Sequence, residues 1–364
     1  PEIIKRHGYP SETHQVITED GCILTIFRIP HGKHSNSSGE PVFIQHGITI
    51  NSGAFVNIGN KSLGFALADT GYDVWMGNFR GSIYSRKHQT LNESNRKFWD
   101  FSFHELGVYD LPAQLNYVHQ KTKQKITYIG LSMGSTAGYI YGVTYPDVAY
   151  KKVKAFISLA PVAIMKDLPL FQFVSYVWSI IERPVQTLTK GKVVPRPPLP
   201  TSLFRYLCLP YPIQMKICQI PDMIAFGVNY EQNDPETLPV TLQHNKDATS
   251  VKTITHYSQL IKTGNFQYFD YGPKINQELY GSQYPPQYDL TKMKVPNYFI
   301  SAPNDFVSTT ENAERIWKML PDRAKPYDIY VIKDDSFNHV SFFTGKDVLS
   351  LVYEPVIKFI NSNK

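Results

Sequence analysis

The stretch "ITYIGLSMGSTAGYIYG", Ile126 to Gly142, decides how the rest of the chain is read. Its centre, Gly130-Leu131-Ser132-Met133-Gly134, fits the pattern G-x-S-x-G. A pattern this short also arises by chance, as a small-residue turn between two apolar runs, so its neighbours must settle it. Upstream, "ITYIG" is apolar, strand-like text. Downstream, "STAGYIYGV" starts small and then takes helical spacing. Strand, sharp turn and helix together form the setting in which a serine is presented at a strained tip. Gly130 and Gly134 then spare that tip a Cβ clash on either side.

Working outward, "PVFIQHG" (Pro41–Gly47), "YDVWMGNFRG" (Tyr72–Gly81) and "VKAFISLAP" (Val153–Pro161) read as further buried strands. Helical patterns stand between them: Ser62–Gly71, Phe101–Lys121 (with Pro112 obscuring its start) and Met133–Tyr145. From about Val162 to Asp289 the alternation stops. That text is irregular and aromatic, with six prolines between Pro195 and Pro212. It resumes with "VPNYFISAPND" as a strand, Thr310–Leu320 as a helix, "YDIYVIKDD" as a strand and "DVLSLVYEPVIKFIN" as a closing helix. Alternating strand and helix predicts an α/β fold with a mostly parallel sheet flanked by helices. The core is expected over 1–161 and 290–364. The segment 162–289 is expected as an inserted cap subdomain at the carboxyl edge of the sheet, where ligand crevices of such folds lie. A second domain without a part in the chemistry is the plainer alternative.

A serine hydroxyl needs a base, and the base needs a carboxylate to hold its tautomer. In this fold their order along the chain is serine, acid, histidine. Of the downstream histidines, His244 and His256 fall in the insertion, whereas His339 follows the last strand in "DDSFNHVSFF". Asp305 follows the next-to-last strand in "YFISAPNDF" and is preferred as the acid over Asp334 and Asp335. The developing oxyanion needs N–H donors. Met133, directly after the serine, supplies one, and Ile48, after the His46-Gly47 pair in "FIQHGITI", supplies the other.

Composition sets the outer limits. The 364 residues are 42% hydrophobic and 19% charged, with a formal net charge of +6. That is globular text without a polybasic block, a nucleic-acid motif or an apolar run long enough to span a bilayer. The chain opens at Pro1 without a signal-like segment, as a processed mature form or an artificially trimmed chain would. Cys22, Cys208 and Cys218 are too few and too far apart for a zinc site, so no metal site is expected. Cys208 and Cys218 bracket "CLPYPIQMKIC" and could close a small loop. Sequons at Asn36, Asn60 and Asn92 point toward the secretory pathway.

Beyond single motifs, the chain resembles the acid lipases, a family that includes gastric and lysosomal acid lipase. The resemblance runs nearly end to end, through "HGYPSETHQVITEDGCIL", "FIQHGI", "LADTGYDVWMGNFRG", "FSFHELGVYDLPA", "YIGLSMGST", "HYSQLIKTGNFQYFDYG", "YPPQYDLTKMKVP" and "FNHVSFF". It implies an α/β-hydrolase fold with a cap and a mobile lid over about 195–226. The implied activity is hydrolysis of neutral lipid esters (acylglycerols or cholesteryl esters) without a cofactor, with transient contact at a lipid–water interface. The resemblance places the nucleophile on Ser132, the acid on Asp305, the base on His339, the oxyanion donors on Ile48 and Met133, and a cap disulfide on Cys208 and Cys218. It implies a secreted or lysosomal protein. The chain departs from the family pattern at Leu131, Met133, Thr49, Val340-Ser341 and Cys22, the last expected as a buried free thiol. These departures leave room for a specialised esterase or an acyltransferase. A non-catalytic lipid carrier on the same fold is the alternative from another class.

Overall fold

The computed structural model describes residues 1–35, 37–193, 213–234, 237 and 247–363, with only the backbone described at 213–218. Among the described residues eleven strands form, in chain order: β1 (Glu12–Ile17), β2 (Cys22–Ile29), β3 (Pro41–Gln45), β4 (Asp73–Gly77), β5 (Lys87–His88), β6 (Ile126–Leu131), β7 (Val153–Leu159), β8 (Lys192–Val193), β9 (Thr249–Ser250), β10 (Asn297–Ser301) and β11 (Tyr330–Val331). The main sheet has the order β1-β2-β4-β3-β6-β7-β10-β11, with β5 paired to β2. From β4 to β11 every neighbouring pair is parallel. The β1, β2 and β5 pairings are antiparallel. This antiparallel edge was not read from the sequence: β1 alternates half-buried and exposed residues and lacks the apolar run that marks a central strand.

The central strands β3, β4 and β6 are buried along their whole length. Apolar clusters cover the sheet on both faces, one around Trp75, Tyr128, Ile140 and Phe156, the other around Ile44, Phe65, Ile129 and Val356. The flanking helices are α1 (Leu63–Asp69), α2 (Leu111–Thr122), α3 (Met133–Thr144), α7 (Thr310–Met319) and α8 (Glu354–Ser362). Between α3 and α7 the insertion contributes α4 (Pro169–Thr189), α5 (Ile213–Phe226) and α6 (Val251–Thr263).

Two expected helices contain a proline, and both absorb it in the same way. A π-helical turn at Leu106–Asp110 precedes Pro112, and another at Leu349–Tyr353 precedes Pro355. Proline cannot donate to the carbonyl four residues back, so the wider turn takes up the mismatch. For Pro112 that carbonyl is Val108 O, and the Tyr145 hydroxyl donates to it at 3.1 Å.

The segment expected as an insertion, 162–289, runs between β7 and β10, and among the described residues it adds no strand to the main sheet. Its root is tied by the β8–β9 pairing and by α6, which packs along α4. His256 of α6 is fully buried and stacks on Phe103 with ring centroids 3.9 Å apart. Its Nε2 donates to Gln267 O at 2.9 Å. Cys22 is buried and free. The expected lid lies mostly outside the described residues, as do Asn36, His244, Cys208 and the Cys218 side chain.

A buried ionic cluster braces the loop after β4. Arg80 Nε donates to Asp110 Oδ1 at 2.7 Å, and its other guanidinium nitrogens reach Asp20 at 2.6 and 2.9 Å. Asp110 is wholly buried, so removing the cation strands a charge in the interior. The substitution Arg80→Met should therefore lower unfolding free energy by about 3–5 kcal/mol, measured by urea titration at neutral pH. A loss below about 1 kcal/mol would argue against this brace.

Candidate active site

Ser132 stands where β6 ends and α3 begins, in the unusual conformation φ +52°, ψ −114°. Its N–H donates to Leu159 O of the neighbouring strand at 2.9 Å, and its carbonyl accepts from Ser135 N at 2.8 Å and Ser135 Oγ at 2.5 Å. The turn leaves no room around it. A Cβ on Gly130 would lie 2.7 Å from Gly134 C and from Ser135 N. One on Gly134 would lie 2.5 Å from Gln45 O. Both glycines of the motif are thus explained by space.

The structure brings Ser132, His339 and Asp305 together. His339 Nε2 lies 3.0 Å from Ser132 Oγ, and His339 Nδ1 lies 2.7 Å from Asp305 Oδ2. The other Asp305 oxygen accepts the N–H groups of Val307 and Ser308 at 2.9 and 2.7 Å. All three side chains are nearly inaccessible to solvent. The competitors are occupied elsewhere. Asp334 accepts from Ser336 and Gln232, Asp335 is exposed, and His256 is the packed histidine of α6.

The loop after β3 faces this group. His46 is buried, and its Nε2 accepts the Phe79 N–H at 3.1 Å. The proton of the neutral ring is therefore on Nδ1, which donates to Gly47 O at 2.8 Å. Burial pushes His46 down to about 4, against the opposing pull of its Gly47 bond and the Asp247 charge. Ile48 lines the same cavity as Ser132 and His339. Met133 begins α3, where a helix leaves N–H groups without internal acceptors.

That cavity measures about 230 Å³. Its walls include Met165, Phe171, Val174, Trp178, Ile254 and Tyr257, and His339 is its one titratable imidazole or charge-bearing side chain among the described residues. Trp178 is pinned by a 3.0 Å bond from Nε1 to Thr255 Oγ1. Five of these six walls come from the helices α4 and α6, so Leu168–Ile181 contributes to the pocket as well as to the packing of its own segment. Sequence reasoning missed the contacts made by the end of α5 and the residues that follow it. Phe226 stacks on the His339 ring with centroids 5.7 Å apart, and its carbonyl accepts the His339 N–H at 3.3 Å. Asn338 Nδ2 donates to Gly227 O at 2.7 Å, and Asn304 Nδ2 to Val228 O at 2.6 Å. No sequence signal marks these residues, because the contacts join loops far apart in the chain. Among the described residues no group of His, Cys, Asp and Glu could hold a metal ion, and no helix is long and apolar enough to cross a membrane.

A mixed sheet with a serine on a strand-to-helix turn, backed by histidine and aspartate, defines an α/β hydrolase. The comparisons agree. Residues 1–59 match the partial α/β-hydrolase lipase region, and residues 40–183 match the α/β-hydrolase fold. Human lipase member J is 34% identical over 100% of this chain and 99% of its own. Rat gastric triacylglycerol lipase is 35% identical over 99% of this chain and 90% of its own. Human lysosomal acid lipase/cholesteryl ester hydrolase is 35% identical over 99% and 90%. A soluble variant of the monoglyceride lipase of Saccharomyces cerevisiae shares the fold, with a TM-score of 0.57 at 13% identity over 96% of this chain and 95% of that one. The chain belongs to the acid lipase family, and it is a carboxylic ester hydrolase.

Two predictions follow from the crowding and the burial. Gly134→Ala should reduce esterase activity at least 100-fold, because the methyl group meets the backbone of the β3 loop and must displace it. Rates at saturating p-nitrophenyl butyrate, corrected for folded fraction, check this. The second concerns acid. His46 and His256 are held neutral by burial, at about 4 and about 3. Lys252 and His104 also disfavour charge on His256, while its bonds to the 267–268 backbone oppose the shift. Because folding depresses both values, the unfolded chain takes up protons first as pH falls through about 6.5, and stability declines toward pH 4. Between pH 7 and 4.5, His256→Gln should remove roughly 2–3 kcal/mol of that decline, read from urea midpoints at the two pH values. An unchanged decline would contradict the assignment.

Proposed function

We propose that the protein is a serine lipase that hydrolyses neutral lipid esters, acylglycerols or cholesteryl esters, through an acyl-enzyme. The observation that carries this reading is the Ser132–His339–Asp305 chain of hydrogen bonds opening into an apolar cavity. Such walls suit a hydrocarbon acyl chain and offer no counter-charge to a charged substrate. The names of the gastric and lysosomal relatives point the same way.

In the proposed mechanism Ser132 Oγ attacks the ester carbonyl while His339 Nε2 takes the hydroxyl proton. Asp305 holds Nδ1–H and stabilises the imidazolium. The carbonyl oxygen becomes an oxyanion and is met by the N–H groups of Ile48 and Met133. When the C–O bond breaks, His339 returns the proton to the leaving alcohol. Water then attacks the acyl-enzyme with His339 again as base, releasing the fatty acid and Ser132.

The core spans 1–161 and 290–364, and 162–289 caps it. The cap also carries the contact with lipid. Phe173, Tyr176, Ile180 and Leu188 of α4 and Ile220 and Ile224 of α5 are exposed apolar side chains. Such a surface is favourable against an aggregated lipid phase and unfavourable in water. Residence in the secretory pathway, secreted or lysosomal, follows from the same kinship. Asn60 and Asn92, both exposed, are the described acceptors for N-glycans.

The test compares the protein with Ser132→Ala and Asp305→Asn on emulsified triacylglycerol and on p-nitrophenyl butyrate. Ser132→Ala should lose at least about 10⁴-fold in kcat, and Asp305→Asn about 10³–10⁴-fold, with the fold intact by circular dichroism. Equal activity in the wild type and Ser132→Ala would refute the mechanism. Product analysis with added alcohol separates hydrolysis from acyl transfer.

A further inference from the structure

The loop that carries Ile48 holds a strained residue. Thr49 sits at φ +59°. In a β-branched residue this conformation is an outlier that persists only where the surroundings impose it. What imposes it comes from nearly 200 residues away by chain. The backbone N–H of Asp247 donates to Thr49 O at 2.6 Å. The Asp247 carboxylate is itself anchored on every side. Oδ2 accepts Asn51 Nδ2 at 2.9 Å and the Ile83 N–H at 2.8 Å. Oδ1 accepts Arg86 Nη2 at 2.6 Å and the Ala248 N–H at 2.7 Å. The residue is 3% exposed. Arg86 is held in turn by its Nε bond to Gly81 O at 2.9 Å.

We infer that Asp247 is a positioning residue for the oxyanion donor at Ile48, an inference that rests on the serine-esterase reading above. The reason is the geometry of two pinned peptides with a single peptide between them. The Ile48 N–H shares a rigid plane with Gly47 C=O, and that carbonyl is held by His46 Nδ1–H. Two residues further on, Thr49 O is held by Asp247. Pinned on both sides of Ile48, the loop cannot rotate its N–H away without breaking a bond to a buried partner. The strain at Thr49 supplies the tendency to rotate, and Asp247 opposes it. Asp247 thus links the insertion to the donor: it lies at the root of the insertion, two residues before β9, yet its carboxylate gathers the loops that follow β3 and β4.

An asparagine at 247 keeps one acceptor oxygen for four donors and turns an amide N–H₂ toward two of them. Asp247→Asn should therefore lower kcat for p-nitrophenyl butyrate about 10–100-fold per site titrated with a p-nitrophenyl phosphonate, with KM within about threefold. Adding Thr49→Gly removes the strain, because glycine adopts positive φ freely. The double variant Thr49→Gly/Asp247→Asn should then recover most of the lost kcat, a non-additivity that a merely structural contribution would not produce. Unchanged kcat in Asp247→Asn, or a loss that Thr49→Gly leaves in place, overturns the inference. Should Asp247→Asn fail to fold, Asn51→Ala, which leaves the Arg86 pair intact, should lower kcat about 3–10-fold, and unchanged kcat there is equally fatal. A wild type that is inert, or a Ser132→Ala protein that is equally active, strikes the catalytic reading instead.

Discussion

The constraint on which the site depends is the space beneath Ser132. The turn from β6 into α3 presses against the backbone at Gln45 and His46, so closely that position 134 has no room for a methyl group. This contact does two things at once. It forces Ser132 into a strained conformation that projects its hydroxyl from the sheet edge. It also sets the distance between the serine and the H-G loop, because the same Gln45 ends the neighbouring parallel strand. A Cβ on Gly47 would lie 3.2 Å from Ser132 Cβ. Ser132 and its proposed oxyanion loop are therefore one packed unit, and interiors packed this densely transmit small shifts rather than absorb them.

The remaining parts of the site stand on loops, and the insertion braces those loops from two directions. On one side Phe226, Gly227 and Val228 hold the loops of Asp305 and His339 through backbone carbonyls. Gly227 sits at φ +112°, and a Cβ there would overlap Asn304 O. On the other side Asp247 holds the loop of Ile48. A loop ordinarily costs entropy to fix, and its position is only as good as the bonds that fix it. Here those bonds come from the same segment that walls the apolar cavity. Displacing the insertion would disturb the proposed acid, base and oxyanion donor together, whereas Ser132, held by β6 and α3, would keep its place.

Much of this was legible in the sequence, for definite reasons. β3, β4, β6 and β7 are apolar runs because both faces of a central parallel strand are buried, and Gly130 and Gly134 flank the serine because nothing larger fits. Asp305 and His339 could be placed by order along the chain, since the fold puts successive strand ends at one edge of the sheet. What escaped was either amphipathic or non-local. β1 and β2 form an antiparallel edge whose mixed burial blurs its pattern. β11 is only two residues long although nine had strand-like text, because it pairs with β10 alone. Asp247 is one acidic residue in polar text, and its importance appears only when Asn51, Ile83 and Arg86 converge on it.

Burial of polar groups is what these features share, and it explains why the site is rigid without being large. His46, Asp110, Asp247 and Asp305 are all nearly inaccessible, and each has its hydrogen-bonding atoms engaged. An unsatisfied buried donor or acceptor costs about 1–3 kcal/mol, so every small displacement of these side chains is opposed by a penalty of that order. Apolar packing alone resists displacement less specifically, because one hydrophobic contact can replace another. The polar clips therefore fix angle and register, while the apolar walls of the cavity supply area. The division suits ester chemistry on a hydrocarbon substrate: the acyl chain requires only an apolar volume, but the developing oxyanion requires its donors at defined places.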